Sequence, residues 1–204
     1  MPILDDVTLT LLENEFRKNL KKGTTLEVLA CPHCTLCNTI TLFLKKICDV
    51  SKGKIKMHEK KDMALCPGIR ILDNLVYRGM PTGTQTGPFL HFLIDNSNGT
   101  YFCGDMVAKE IRAIKDSVTV DVYISPACPL SPLQVRWAYE FASLNKNIKV
   151  KIVDCVQLPE LAIKYGVGAT PKTVINGRIS ITGQMDPDEF LRKIKLAIET
   201  KKSD

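Results

Sequence analysis

The chain has 204 residues, 45% of them hydrophobic and 25% charged, with a formal net charge of +6, a composition that can bury one large core or two small ones. Its lysines fall in separated pairs (Lys21-Lys22, Lys45-Lys46, Lys60-Lys61, Lys201-Lys202) and only 6% of residues are aromatic, so neither a basic stripe nor a set of stacking platforms is available and nucleic-acid binding is excluded. Between Met1 and Gly23 the charges Asp5, Asp6, Glu13, Glu15, Arg17 and Lys18 break any apolar run, which leaves no secretory signal or membrane span and predicts a cytoplasmic protein.

In chain order, Val7, Leu11, Leu12, Phe16 and Leu20 give a first helix an apolar face, and Lys21, Lys22 and Gly23 end it. A strand at Leu26 to Ala30 runs into Cys31-Pro32-His33-Cys34-Thr35-Leu36-Cys37, and a helix is predicted near Thr39 to Ile47. The chain then passes through Lys56-Met57-His58 to Cys66-Pro67, where a hairpin turning at Asp73-Asn74 begins. Asn96-Ser97-Asn98-Gly99 has the composition of a linker. Beyond it the order recurs: a helix at Met106 to Ile114, a strand ending at Ile124, Ser125-Pro126-Ala127-Cys128-Pro129-Leu130-Ser131, and a helix at Leu133 to Leu144. A strand at Val150 to Asp154 and a short helix at Pro159 to Tyr165 come next, then a hairpin opened by Pro171 with its turn at Asn176-Gly177, and a closing helix at Asp188 to Ile198.

The recurrence is numerical. A constant offset of 94 carries Glu27 onto Asp121, Pro32 onto Pro126 and Cys34 onto Cys128. Pro67 to Gly79 and Pro171 to Gly183 are both 12 positions. The chain is therefore read as α/β, with two tandem domains at 1–98 and 99–204, each a central mixed β-sheet flanked by helices.

Eight cysteines (31, 34, 37, 48, 66, 103, 128 and 155) point to redox or metal chemistry in a cytosolic chain, and three of them lie within seven residues. A cysteine where a strand feeds a helix meets unpaired N–H groups and the positive end of the helix dipole, which favour the thiolate. A second cysteine three residues on lies one turn away and can close a disulfide. Two C-x-x-C pairs overlap here, and the repeat register selects between them: Cys34 attacks, Cys37 resolves, and Cys31 stays upstream at the strand end.

These motifs, with Thr170-Pro171 and Tyr77-Arg78-Gly79-Met80-Pro81-Thr82-Gly83, resemble the tandem-repeat protein disulfide oxidoreductases of the thioredoxin and glutaredoxin superfamily over nearly the whole chain. The resemblance implies two thioredoxin-like domains and a thiol-disulfide oxidoreductase with a Cys34/Cys37 dithiol and no bound cofactor beyond the redox-active disulfide. Cys128 is its attacking cysteine in the second unit. Thr170-Pro171 falls on a cis-proline step that offers backbone groups to a substrate, with Cys66-Pro67 as its counterpart. Implied partners are a protein or small-molecule disulfide and, as reductant, a flavoprotein thioredoxin reductase or a small thiol; neither nucleic acid nor membrane is among them.

The sequence departs from that family in three places. Ser131 stands where a resolving cysteine is usual, making the second unit monothiol. Cys34 to Pro67 spans 33 positions against 43 from Cys128 to Pro171, so a helix is expected to be missing from the first unit. Cys31 and Cys66 are surplus to the motif and should lie near Cys34. Two alternatives follow: a Zn or iron-sulfur site on Cys31, Cys34, Cys37 and Cys66, or a sulfur carrier or binding module using Cys128. His33 either supports a thiolate or faces solvent, Glu27 and Asp121 either relay protons or lie on the far strand face, and Cys155 is either a substitute resolver for Cys128 or a buried thiol. Cys48 and Cys103 read as bystanders, and Trp137 as a packing anchor.

Overall fold

Residues 4–202 are described by a computed structural model, in which the two halves lay down the same succession of elements but for one short helix. The first half comprises α1 (Asp6–Asn19), β1 (Thr24–Ala30), α2 (Thr35–Val50), β2 (Ile55–Lys61), β3 (Gly68–Leu72), β4 (Leu75–Arg78) and, after a 3-10 turn at Gly83–Gln85, α3 (Thr86–Asn98). The second comprises α4 (Asp105–Ala113), β5 (Val118–Ile124), α5 (Ser131–Leu144), β6 (Ile148–Asp154), α6 (Pro159–Lys164), β7 (Lys172–Ile175), β8 (Ile179–Thr182) and α7 (Pro187–Lys202). The short helix α6 has no counterpart between β2 and β3, which accounts for the ten-residue difference between the halves.

Each half builds one four-stranded mixed sheet. β1 pairs β2 in parallel and β3 antiparallel, and β3 turns back into β4; β5, β6, β7 and β8 repeat this pattern. The two sheets then fuse. β4 lies parallel to β6, from Leu75 opposite Val150 to Arg78 opposite Val153, giving one eight-stranded sheet in the order β2-β1-β3-β4-β6-β5-β7-β8. Each unit thereby hides one edge strand in the other, which removes an unpaired edge from both. The Asn74 side-chain amide reinforces the seam by donating to the carbonyls of Ala142, Asn145 and Ile148 at 2.9, 3.2 and 2.7 Å.

The strands are driven by period-two alternation. In β5 Val118, Val120 and Val122 are fully buried, and Leu26 and Val28 do the same in β1. Burying a side chain of this size contributes about 1.5–3 kcal/mol. The core is continuous across the halves: Phe43, Tyr77 and Phe89 pack in the same cluster as Val120, Phe141 and Phe190, and Phe92 meets Tyr139 between α3 and α5 with ring centroids 4.7 Å apart.

Two expected details differ. Leu12, Phe16 and Leu20 form the buried stripe of the first helical segment, but Val7 and Leu11 are 71% and 63% exposed, because that stripe faces α2 and α3 and leaves their side of α1 in solvent. The expected linker is mostly helix: α3 runs through Asn98, and Gly99 ends it in the left-handed conformation at φ 68°. The predicted turn at Asn176-Gly177 has both residues at positive φ, 51° and 69°, within a three-residue connection between the paired Ile175 and Ile179. Among the described residues, no helix is long and apolar enough to cross a membrane.

Candidate active site

Strand β1 ends at Ala30, and the next four residues carry the chain over to α2, with His33 exposed at the left-handed φ of 58°. Cys34 is the N-cap of α2, its sulfur accepting a hydrogen bond from the Cys37 N–H at 3.0 Å. A 16-residue helix thus directs its unpaired N–H groups and the positive end of its dipole at this sulfur. Cys37, one turn on, is buried, and the two are joined as a disulfide with Cα atoms 5.3 Å apart.

A second disulfide joins Cys31 to Cys66, with Cα atoms 5.9 Å apart. Sequence spacing alone leaves Cys31 unpaired, since 35 residues separate the two and only the antiparallel pairing of β1 with β3 brings them together. The peptide bond from Cys66 to Pro67 is cis, as is that from Thr170 to Pro171. The Cys37 and Cys66 sulfurs touch at 3.5 Å, and all four sulfurs of Cys31, Cys34, Cys37 and Cys66 lie within 4.8 Å of one another.

The loop holding Cys66 is fixed by two side chains that the sequence did not single out for this role. The Asp62 carboxylate accepts from the N–H groups of Ala64 and Leu65 at 3.0 and 2.9 Å. The Arg78 guanidinium donates to the carbonyls of Cys66, Ala64 and Pro67 at 2.7, 3.2 and 3.4 Å. Gly68 completes the anchorage, because a Cβ there would lie 2.8 Å from the Tyr77 carbonyl oxygen and 2.9 Å from that of Leu65. Arg78 belongs to the motif that carried the family resemblance, which was the only sequence signal for it.

In the second half Cys128 follows β5 and precedes α5, and its thiol donates to the Thr170 carbonyl at 3.2 Å, beside the second cis-proline. Partial burial works against its thiolate, but interactions with Ser131 and Thr170 and with the Leu130 and Ser131 N–H groups outweigh this and hold its pKa below the ordinary cysteine value. The Ser131 hydroxyl is fully buried, has no hydrogen-bond partner among the described residues, and lies close enough to that sulfur to favour its thiolate. Cys155 packs among Tyr123, Val153 and Leu158, bonds to none of the described cysteines, and has its pKa pushed up to about 11 by burial and by Asp154. Burial, with Glu140, does the same for Cys103, again to about 11.

The two cysteine loops open on one edge of the sheet. The strand directions make β1 and β5 run the same way, four strand spacings apart, or about 19 Å along the sheet. The first half reaches toward the second at this edge: Thr84 donates from its N–H to the Pro126 carbonyl at 2.9 Å and from its hydroxyl to the Cys128 carbonyl at 3.2 Å. Gly83 permits the approach, since a Cβ would sit 2.5 Å from the Pro126 oxygen. Glu27 lies on the opposite strand face from Leu26 and Val28; burial disfavours its charge, but Arg70 at 2.9 Å and Lys60 hold its carboxyl below the usual range. Asp121, more deeply placed, has its pKa raised by burial against the pull of Lys151 at 3.1 Å.

A family model described as a thioredoxin domain matches residues 118–195. A thioredoxin of Methanocaldococcus jannaschii is 29% identical over 79 residues, covering 38% of this chain and 93% of that protein. A probable thioredoxin of Methanothermobacter thermautotrophicus is 30% identical over 83 residues, covering 40% of this chain and 98% of its own length. Among solved structures, a protein disulfide oxidoreductase from Aeropyrum pernix superimposes with a TM-score of 0.88 at 20% identity, covering 98% of this chain and 95% of that one. The NTD_N/C domain of the alkylhydroperoxide reductase AhpF from Enterococcus faecalis gives 0.83 at 18% identity, covering 94% and 99%. These two likenesses establish a shared tandem fold.

Proposed function

The chain belongs to the thioredoxin family and is a thiol-disulfide oxidoreductase, and we propose that its working couple is Cys34 and Cys37 in a first unit spanning residues 1–98. The observation that carries this reading is the placement of the pair: Cys34 half-buried at the N-terminus of α2, and Cys37 buried one turn behind it and already bonded to it. The Cys34 thiolate attacks a substrate disulfide, forming a mixed disulfide and releasing one substrate thiolate. Cys37 then attacks the Cys34 sulfur, releasing the second substrate thiol and leaving Cys34–Cys37 oxidised. A flavoprotein reductase or a small thiol returns the electron pair, and the setting is the cytoplasm.

Cys66-Pro67 and Thr170-Pro171 are the substrate-facing backbone steps, each beside a reactive sulfur. In a second unit spanning 99–204, Cys128 has an activated sulfur and no partner three residues on, so it forms mixed disulfides and docks rather than cycles. Catalysed reduction of insulin disulfides by dithiothreitol tests the assignment: Cys34→Ser abolishes it, and full activity in that variant overturns it.

One observation favours a second reading. Four cysteine sulfurs within 4.8 Å of one another form a donor set suited, once reduced, to tetrahedral Zn or an iron-sulfur cluster. Metal analysis of anaerobically purified protein separates the readings. Near-stoichiometric metal that protects all four cysteines from alkylation supports the metal centre, and metal well below one atom per chain supports the dithiol.

A further inference from the structure

We propose that Cys31–Cys66 is a second redox couple that exchanges with Cys34–Cys37 through a transient Cys37–Cys66 disulfide, so that one centre holds two electron pairs. This rests on Cys34–Cys37 as the working couple and extends it. The argument begins with reach. Cys37 and Cys66 are 4% and 7% exposed, which keeps an external thiol from their sulfurs, whereas each lies 3.5 Å from the other. That separation is the contact distance from which a bond-forming attack proceeds without further search. The outer members, Cys34 and Cys31, are only half buried, so each inner sulfur is bonded to an outer one that can leave into contact with solvent.

The exchange balances without an outside reactant. From reduced Cys34/Cys37 and oxidised Cys31–Cys66, the Cys37 thiolate attacks the Cys66 sulfur; the Cys37–Cys66 bond forms, the Cys31–Cys66 bond breaks, and Cys31 leaves as a thiolate. Cys34 then attacks the Cys37 sulfur, forming Cys34–Cys37 and expelling Cys66 as a thiolate. The two protons lost by Cys34 and Cys37 are matched by the two taken up at Cys31 and Cys66. Two electrons have moved from the Cys34/Cys37 couple to Cys31/Cys66, and every step is reversible. Run backward, Cys31/Cys66 re-reduces Cys34–Cys37 after a turnover, and the flavoprotein reductase or small thiol of the proposed cycle loads both pairs through Cys34.

Arg78 and Asp62 give this arrangement its rigidity. They anchor the 62–67 loop through its backbone and hold Cys66 against Cys37 while either bond is open. A disulfide serving only to fasten this loop would need no contact with the working pair.

The test traps the intermediate from both sides in chelator-treated full-length protein. In Cys34→Ser, Cys37 has lost its partner and attacks Cys66; in Cys31→Ser, Cys66 has lost its partner and attacks Cys37. Both variants, equilibrated anaerobically in a glutathione buffer and analysed by peptide mass spectrometry, are expected to show Cys37–Cys66 in about a tenth of chains or more. Finding only Cys31–Cys66 in the first and only Cys34–Cys37 in the second overturns the relay. A wild-type measurement decides if a variant fails to fold: fully reduced protein, freed of reductant, is mixed with excess insulin and the insulin disulfides opened per chain are counted, with Cys128→Ser in parallel to remove the half-buried monothiol. Two supports the relay, one overturns it while leaving the Cys34–Cys37 reading intact, and none overturns both.

Discussion

The two cysteine loops set a natural comparison. β1 and β5 run in the same direction, each delivers a cysteine to the start of a helix, and each cysteine lies near a cis-proline, yet Cys34 has three further sulfurs within 4.8 Å while Cys128 faces a serine hydroxyl. The backbone scaffold is therefore the same around both cysteines. What differs is the partner atom: a hydroxyl favours the neighbouring thiolate but cannot accept a sulfur bond, so activation without resolution remains in the second half. In the proposed reading, one fold holds an exchange centre and a capture site on the same edge.

The sharpest way to break this comparison is to remove each attacking sulfur in turn. Cys34→Ser is expected to lower catalysed insulin reduction by about three orders of magnitude, and Cys128→Ser to change it by no more than about twofold. Equal losses would make the halves equivalent. Alkylation rates sharpen the contrast within the second half. Cys128 has its pKa held below the ordinary value and Cys155 has its pushed up to about 11, so the thiolate that reacts is far more abundant at Cys128 in neutral to mildly basic solution. At pH 8 Cys128 should react with iodoacetamide about a hundredfold faster. Rates within threefold of each other would remove the case for activation.

The anchoring of the first site can be tested by stability. Gly68→Ala places a methyl against two carbonyl oxygens and is expected to cost about 2 kcal/mol in urea denaturation. Gly177→Ala in the equivalent hairpin of the second half meets no atom within 4 Å and should cost about 1 kcal/mol, from its positive φ alone. The reverse order would mean that the Cys66 loop is not held as described. One expected effect is a gain: Ser131→Cys should supply the missing resolving sulfur, close a disulfide to Cys128 and, in a Cys34→Ser background, restore insulin reduction by about tenfold. Free thiols at both positions under oxidising buffer would show that more than the missing sulfur separates the halves.

Much of this contrast is legible in the sequence because it depends on spacing. The 94-residue offset aligns Cys34 with Cys128 and Ser131 with Cys37, and the short interval before Pro67 marks the absent helix. What spacing does not encode is contact across the sheet. The pairing of Cys31 with Cys66 arises from the β1–β3 register, and the fusion of the two sheets from the contact of β4 with β6, whose partner the apolar run Leu75-Val76-Tyr77 does not specify. Arg78 escaped for the same reason, since its partners are main-chain carbonyls that have no signature in the sequence.

Differential alkylation with peptide mass spectrometry across an anaerobic thiol-disulfide buffer series bears most directly on the central claim. A reversible two-electron Cys34–Cys37 couple, with Cys128 forming no disulfide to another cysteine of the chain at any potential, is the predicted result. If instead Cys31, Cys34, Cys37 and Cys66 all resist alkylation under reducing conditions until a chelator is added, the dithiol mechanism is wrong and the four sulfurs hold a metal.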